Sequence, residues 1–168
     1  RCVAGFLIDA GLAPGDRAAI LATNSTAWAA VALAIQAARG VLVPIYPAST
    51  AEQVAYLLRA SGSRFLFADA ALLARARADR EAIARVERIA VLGAGESEGA
   101  VAIDVAGESE GAAQGTIDGA AGAAVISYAD VLAAGAARLS AEPDLVEGTL
   151  SRAGLDEPTL LFYTSGTT

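Results

Sequence analysis

Helical and extended segments alternate along the first half of the chain, and this alternation restricts the fold more than any other feature. Four segments have apolar residues at helical spacing, and each precedes a short apolar run. The predicted helices are residues 3–10, 25–39, 50–60 and 70–86. The predicted strands are residues 17–22, 41–46, 64–68 and 89–92. Repeated helix–strand units with short connections form a parallel sheet whose faces are covered by helices, so we predict an α/β fold with a mostly parallel sheet.

Polar residues mark where the predicted helices begin. Asn24 or Ser25 can cap the second helix, and the sequence does not decide between them. Pro44 lacks a backbone donor, so we expect it near the end of its strand or at a bulge. The third helix begins with two overlapping capping boxes, Ser49 with Glu52 and Thr50 with Gln53.

Residues 93–124 differ from the rest of the chain. The sequence of residues 94–100 recurs identically at residues 106–112, and the whole segment contains six acidic and no basic side chains. Glycine, serine, glutamate and alanine at this density bury too little apolar surface to offset the conformational entropy of an ordered chain. Two short copies are also too few for a solenoid. We therefore expect residues 93–124 to form a flexible acidic surface insertion.

Order is expected to return after this insertion. Ser127 is the predicted cap of a short helix that places Val131, Leu132 and Ala136 on one side. Residues 142–150 are predicted to contain a further helix. Residues 157–159 would then lead into the last apolar run of the chain.

Charge and composition limit the classes of function. The net charge of −7 disfavours binding to nucleic acid or to an anionic membrane surface. The chain contains no lysine, histidine or methionine, so a cysteine–histidine catalytic pair is excluded within it. Cys2 is the single cysteine and cannot form an internal disulfide, which favours a reducing cytoplasm. The apolar stretch at residues 27–38 contains Gln36 and is shorter than a membrane span, which needs about 20 residues. Peripheral association with a membrane is compatible with the sequence.

The last nine residues combine an apolar run with a small polar loop. Residues 160–163 suit a buried strand, and the loop that follows is Thr164, Ser165, Gly166, Thr167 and Thr168. The glycine permits a tight turn and close approach to a ligand, and hydroxyl and backbone N–H groups can converge on phosphate oxygens. The loop differs from the common nucleotide loop, which needs a second glycine and a lysine. On composition alone, an ordinary turn is the more frequent explanation for five small polar residues.

The order of these residues changes that interpretation. Residues 163–168 resemble the start of the phosphate-binding loop of the adenylate-forming superfamily, which contains acyl-CoA synthetases, luciferases and the adenylation domains of peptide synthetases. Three earlier elements agree with that superfamily in the same order: residues 15–17, the pair Asn24 and Trp28, and residues 40–47. The resemblance covers residues 1–92 and 125–168, and the acidic insertion is the departure from it.

The resemblance implies a fold, a reaction and a set of ligands. Residues 1–168 would be an incomplete N-terminal AMP-binding domain, truncated at both ends. A carboxylate would attack the α-phosphorus of ATP to give an acyl-adenylate and pyrophosphate, and the thiol of coenzyme A would then take the acyl group. Mg²⁺ would assist. The residues implied to hold the β- and γ-phosphates of ATP are Thr164, Ser165, Gly166, Thr167 and Thr168. The superfamily's loop lysine, its metal-associated glutamate and its C-terminal lysine have no counterpart here, so no catalytic residue is assigned within this chain.

The expected acid substrate also comes from the resemblance. Residues 44–47 and 50–56 are most similar to long-chain fatty acyl-CoA synthetases, and residues 126–132 fit the same group. The expected substrates of the complete protein are therefore a fatty acid, ATP and coenzyme A. One alternative is adenylation of an amino or aryl acid, and another is a non-catalytic Rossmann-like binding or scaffold protein that uses the acidic insertion. Residues 1–168 alone are expected to be inactive and to bind ATP weakly, and Arg17 and Trp28 are expected to be structural.

Overall fold

The computed structural model describes residues 1–93, 117–118 and 123–164. In these residues helices and strands alternate as the sequence predicts. The helices are α1 (Cys2–Asp9), α2 (Thr26–Ala37), α3 (Ala51–Ser61), α4 (Ala70–Arg77), α5 (Arg80–Ala84), α6 (Tyr128–Ala141) and α7 (Leu145–Leu150). The strands are β1 (Arg17–Leu21), β2 (Val41–Ile45), β3 (Phe65–Asp69), β4 (Arg88–Leu92), β5 (Ile117–Asp118) and β6 (Ala124–Ser127).

The strands form one sheet in the order β2-β1-β3-β4-β6-β5 over the described residues. Strands β2, β1, β3, β4 and β6 are parallel, and β5 pairs antiparallel with β6. One line across the sheet joins Pro44, Ile20, Phe67, Ala90 and Ile126. The predicted α/β fold with a mostly parallel sheet flanked by helices is confirmed, and the carboxyl ends of its five parallel strands meet at one edge.

Helices cover both faces of the sheet, which explains why the central residues of its parallel strands are apolar. On one face, Ile20 and Phe67 pack in a cluster with residues of α1, α2 and α6. On the other face, Leu21 and Leu66 pack in a second cluster with residues of α3, α4 and α5. Because successive side chains of a strand point to opposite faces, the middle of each strand is apolar on both faces, and charged residues stand only at strand ends, as Arg17, Asp69 and Arg88 do.

Three of the predicted helix caps have the expected side-chain hydrogen bonds. The hydroxyl of Ser25 accepts from the backbone N–H of Trp28, so Ser25 rather than Asn24 caps α2. The hydroxyl of Ser127 likewise accepts from the N–H of Asp130 at the start of α6. Of the two overlapping capping boxes at α3, the structure forms the one between Thr50 and Gln53.

The predicted helix over residues 70–86 is wrong as a single element. The structure has two short helices, α4 and α5, with a break at Ala78 and Asp79. The Asp79 carboxylate accepts from the backbone N–H of Ala82 at 2.9 Å and also pairs with Arg59 of α3. A capped N-terminus needs a non-helical backbone at the cap, so this aspartate ends one helix and starts the next.

The region after β4 contains two strands that the sequence patterns did not predict. Most of the predicted insertion, residues 93–124, lies outside the described residues. Within it, Ile117–Asp118 forms β5 and Ala124 begins β6, which pairs with β4 and extends the sheet. The predicted short helix after Ser127 is also longer than expected, since α6 has 14 residues. Leu132 is 37% exposed and therefore does not join Val131 in the core.

The last apolar run does not form the buried strand that its composition suggested. Only Leu160 makes a bridge, parallel to Leu42, on the outer edge of β2. Leu160 is 50% exposed and Phe162 is 66% exposed. Pro44 lies near the end of β2, as predicted, and it limits further pairing on this edge because it has no N–H to donate.

No helix in the described parts of the chain is long and apolar enough to cross a membrane.

Candidate functional site

A cleft with a volume of about 680 Å³ opens at the carboxyl ends of β1 and β2. In open α/β sheets, ligands bind outside the carboxyl ends of the strands, near the point where the strand order reverses. Here the order reverses between β1 and β3, because β2 follows β1 on one side and β3 lies on its other side. The cleft lies beside this point, on the β2 side, where a sheet of this topology is suited to bind ligands.

Aromatic side chains form much of the wall of this cleft. Tyr56, on the first half of α3, meets Tyr163 edge to face, with their ring centroids 6.5 Å apart and an interplanar angle of 80°. Tyr46 follows β2 and is 74% exposed. Such side chains combine flat apolar surface with a hydroxyl that can donate or accept a hydrogen bond. The aromatic residues of the wall are Trp28, Tyr46, Tyr56, Phe162 and Tyr163.

The predicted phosphate-binding loop begins at this cleft. Thr164 is exposed and lines the cleft beside Tyr163. The remaining predicted ligands of the ATP phosphates, Ser165, Gly166, Thr167 and Thr168, lie outside the described residues, so their role stays a prediction. The structure therefore locates the first residue of the loop at the carboxyl edge of the sheet.

Two backbone hydrogen bonds attach the segment before this loop to β2. The N–H of Leu42 donates to the carbonyl oxygen of Thr159 at 3.0 Å, and the N–H of Leu161 donates to the carbonyl oxygen of Leu42 at 2.9 Å. The segment thus runs parallel to β2 and points its end towards the cleft. This path carries the chain from the amino-terminal side of the sheet to Thr164.

The described wall of the cleft is nearly neutral. Glu52 is the one formally charged residue among the described residues that line it. The start of α3 also contributes to the wall, and its capping box uses two of the backbone N–H groups there. The N–H of Thr50 donates to Gln53 Oε1 at 2.9 Å, and the N–H of Gln53 donates to Thr50 Oγ1 at 3.3 Å. Beside a loop that is predicted to bind phosphate, an aromatic wall of this kind suits an uncharged part of a ligand better than another negatively charged group.

A hydrogen-bonded link at the strand-order reversal was not predicted. The N–H and the hydroxyl of Thr23 both donate to the Asp69 carboxylate at 2.8 Å. Asp69 is the last residue of β3, and its side chain makes no capping bond to α4. This link connects the end of β3 to the β1–α2 connection, which carries Asn24 to the cleft. The sequence feature that could have indicated this link is an aspartate at the carboxyl end of a predicted buried strand.

The other residues singled out from the sequence have different outcomes. Arg17 is structural, as predicted, because its guanidinium donates to the carbonyl oxygens of Ser61 at 2.8 Å and Gly62 at 3.2 Å. Trp28 packs against the core but also lines the cleft, so the purely structural prediction was incomplete. Cys2 is a free, half-buried thiol. No group of three potential metal-binding side chains occurs within residues 1–93, 117–118 and 123–164.

Comparison with known proteins identifies relatives among CoA ligases. The chain is 34% identical over 104 residues to a 3-methylmercaptopropionyl-CoA ligase of Ruegeria pomeroyi, a match that covers 62% of this chain and 19% of that protein. It is 42% identical over 69 residues to the long-chain-fatty-acid–CoA ligase FadD15 of Mycobacterium bovis, covering 41% of this chain and 12% of that protein. The matches thus span less than one fifth of the length of these curated relatives.

Solved structures agree with the fold. A mutant form of a coronafacic acid ligase from Pectobacterium brasiliense superposes with a TM-score of 0.64 at 17% identity, covering 97% of this chain and 26% of that chain. The N-terminal domain of FACL13 from Mycobacterium tuberculosis superposes with a TM-score of 0.52 at 22% identity, covering 98% of this chain and 32% of that chain. The family described as AMP-binding enzyme matches residues 1–168. Because this match covers the whole chain, the chain belongs to the AMP-binding enzyme family.

Proposed function

We propose that residues 1–168 are the N-terminal part of an AMP-forming ligase that joins a carboxylic acid to coenzyme A. Membership of the AMP-binding enzyme family supports the use of ATP. The observation that carries the proposal is the position of Thr164, which starts the predicted loop at the rim of the cleft. A phosphate bound there would lie at the carboxyl edge of the parallel sheet, where nucleotides commonly bind in α/β folds.

In the proposed reaction, a carboxylate oxygen of the acid attacks the α-phosphorus of ATP, and the bond between the α- and β-phosphates breaks. Pyrophosphate leaves and an acyl-adenylate forms. The thiol of coenzyme A then loses its proton and attacks the acyl carbonyl carbon, which releases AMP and gives the thioester. Charge develops on the reacting phosphates in the first step, so preorganised donors near them lower its barrier.

The residues proposed to hold the β- and γ-phosphates are Thr164, Ser165, Gly166, Thr167 and Thr168. Their hydroxyl and backbone N–H groups would supply donors in a small volume, and Thr164 lines the cleft. Threonine hydroxyls also suit a hard cation such as Mg²⁺, which would neutralise part of the phosphate charge. We propose a cytoplasmic location, on the single cysteine and its free thiol.

We propose a long-chain fatty acid as the acid substrate. Its support is the similarity to FadD15 over 69 residues and the resemblance of residues 44–47 and 50–56 to fatty acyl-CoA synthetases. A second candidate is a smaller acid, favoured by the similarity to the 3-methylmercaptopropionyl-CoA ligase over 104 residues. Both candidates use the same two steps and differ only in the acid.

The test is a substrate panel on the product of the complete reading frame. The purified protein is incubated with ATP, Mg²⁺, coenzyme A and either palmitate, 3-(methylthio)propionate or benzoate, and AMP and acyl-CoA are measured by mass spectrometry. The proposal predicts AMP and thioester in equal amounts, with the largest kcat/KM for palmitate. A larger kcat/KM for a smaller acid would keep the ligase activity and replace the substrate. Formation of ADP, or no acid-dependent product, would reject the ligase activity itself.

A further inference from the structure

Arg39 and Glu157 form a two-point ion pair between the turn before β2 and the segment that leads to Thr164. Arg39 Nε donates to Glu157 Oε2 at 3.0 Å, and Arg39 Nη2 donates to Oε1 of the same carboxylate. Their side chains are only 16% and 31% exposed. The hydrogen bonds between them raise the pKa of Arg39 and lower the pKa of Glu157, so the pair stays ionised around neutral pH. The N–H of Gly154 also donates to Glu157 Oε1, at 3.1 Å.

The backbone at Arg39 is unusual for a residue with a side chain. Its φ is +61°, in the left-handed region, directly after the end of α2. Glycine is the residue that most often follows a helix in this conformation, because any other side chain raises its energy. Gly40 comes next in the sequence, so a glycine is present but does not take this position. An arginine retained in a strained conformation points to a role for its side chain.

The backbone of the segment that Glu157 belongs to makes few hydrogen bonds with β2. Its backbone meets β2 only through Leu42, which bonds to Thr159 and Leu161. The next residue of β2 that faces this edge is Pro44, which has no N–H to continue the ladder. Leu160 is 50% and Phe162 is 66% exposed, whereas Leu161 and Tyr163 on the other face are half-buried against the core. The register of the segment therefore depends on these two side chains, on the bonds to Leu42 and on any contact made at its start.

The register decides where the predicted loop begins. A slip of one residue would move Thr164 by about 3.3 Å along β2 and reverse the faces of the segment. It would also take Tyr163 away from Tyr56, whose ring it now meets edge to face. We propose that Arg39 and Glu157 are positioning residues, which fix the register of residues 159–164 along β2 and so place the phosphate-binding loop. This inference rests on the proposed function of that loop.

The first test compares the complete protein with its Arg39→Gly and Glu157→Gln variants. Glycine accepts the left-handed backbone at position 39, so Arg39→Gly removes the guanidinium without disturbing the turn. We expect the KM for ATP to rise roughly tenfold in both variants, with the KM for the acid and for coenzyme A unchanged. A purely structural role would instead lower the active fraction, and hence kcat, equally for all substrates. Glu81→Gln is the matched control, because Glu81 is 79% exposed and lies 4.0 Å from its partner Arg85.

A second measurement does not depend on activity. Amide hydrogen exchange at Leu161 reports the bond from its N–H to Leu42. We expect exchange there to become faster in both variants and to stay unchanged in Glu81→Gln. Unchanged exchange at Leu161, or an unchanged KM for ATP in a folded Arg39→Gly protein, would overturn the inference. An unmodified protein that makes no acyl-CoA would reject the proposed function, and the exchange data would still decide whether the pair fixes the segment.

Discussion

The backbone of α6 passes so close to α1 that a methyl group on Gly135 would overlap the carbonyl oxygen of Cys2. No side chain fits there. On the facing helix, a methyl group on Gly5 would lie 3.1 Å from Leu139 and 3.3 Å from the carbonyl oxygen of Gly135. The two glycines therefore allow α1 and α6 to cross at backbone contact on one face of the sheet.

Gly135→Ala should destabilise the protein even though alanine has the higher helix propensity. Relief of the contact with Cys2 requires α1 and α6 to move apart, and such overpacking lowers the free energy of unfolding by about 1–3 kcal/mol. Urea denaturation measures this change. The control is Gly148→Ala in α7, where the added methyl group would meet no other described part of the protein within 4 Å, and it should gain roughly 0.5–1 kcal/mol. A Gly135→Ala protein as stable as the original would show that the helices do not cross so closely.

Stability should fall in acid partly through Glu87. Arg64 donates to both carboxylate oxygens of Glu87 at 2.7 Å and also pairs with Asp16. The bonds from Arg64 lower the pKa of Glu87 below its ordinary value. Because the pKa of Glu87 is lower in the folded than in the unfolded protein, its ionised form stabilises the fold at any pH above the unfolded-state pKa. This stabilisation is lost as the pH falls through the folded-state pKa. The free energy of unfolding should therefore fall below about pH 5.

The variant Glu87→Gln isolates this contribution. Its free energy of unfolding should depend less steeply on pH between about 5 and 3 than that of the unmodified protein. Near pH 7 the loss should stay below about 1 kcal/mol, because Glu87 is 53% exposed and water screens the pair. Parallel pH curves for the two proteins would contradict the assignment.

The two overlapping capping boxes at α3 should differ in their contribution to stability. The side chain of Thr50 accepts the N–H of Gln53, so Thr50→Ala should lower the free energy of unfolding by about 1 kcal/mol. Ser49→Ala should have a smaller effect, because the capping side chain in the structure is that of Thr50. Equal losses in thermal or urea denaturation would show that both boxes form.

Removal of one copy of the duplicated acidic sequence should leave the fold and the proposed activity intact. Deletion of residues 94–105 removes one twelve-residue unit and spares β5 and β6. We expect the Tm and the proposed acyl-CoA ligase activity of the complete protein to be retained, since a change in the length of the predicted surface insertion costs little stability. Val125→Ala in β6 is the contrasting control and should lower the Tm, because Val125 is 5% exposed. Loss of a biological effect on deletion, with catalysis retained, would instead favour a scaffold role for the insertion.

The fold was predictable where local patterns and tertiary contacts agree. The strand at residues 41–46 was apolar enough to be recognised, and Ser127 marked the start of α6 correctly. The break at Asp79 was missed because the surrounding helical pattern continues through it, while the cap and the pair with Arg59 are tertiary. Strand β6 was missed because its apolar core is only three residues long and its partner, β4, lies across the insertion.

The candidate site was predictable only in part. The loop at Thr164 was found from its residue order, which carries a specific resemblance. The link between Thr23 and Asp69 joins residues 46 positions apart, and the pair of Arg39 and Glu157 joins residues 118 positions apart. A single sequence gives no local signal for contacts at such separation, since they arise only when parallel strands bring distant ends together.

The central claim is that the complete protein forms an acyl-adenylate. Exchange of radiolabelled pyrophosphate into ATP, measured without coenzyme A, tests this step most directly because it requires reversal of adenylate formation. We predict exchange that depends on both Mg²⁺ and palmitate and that disappears when palmitate is left out. Exchange independent of any acid, or none with every acid tested while the protein is folded, would contradict the account.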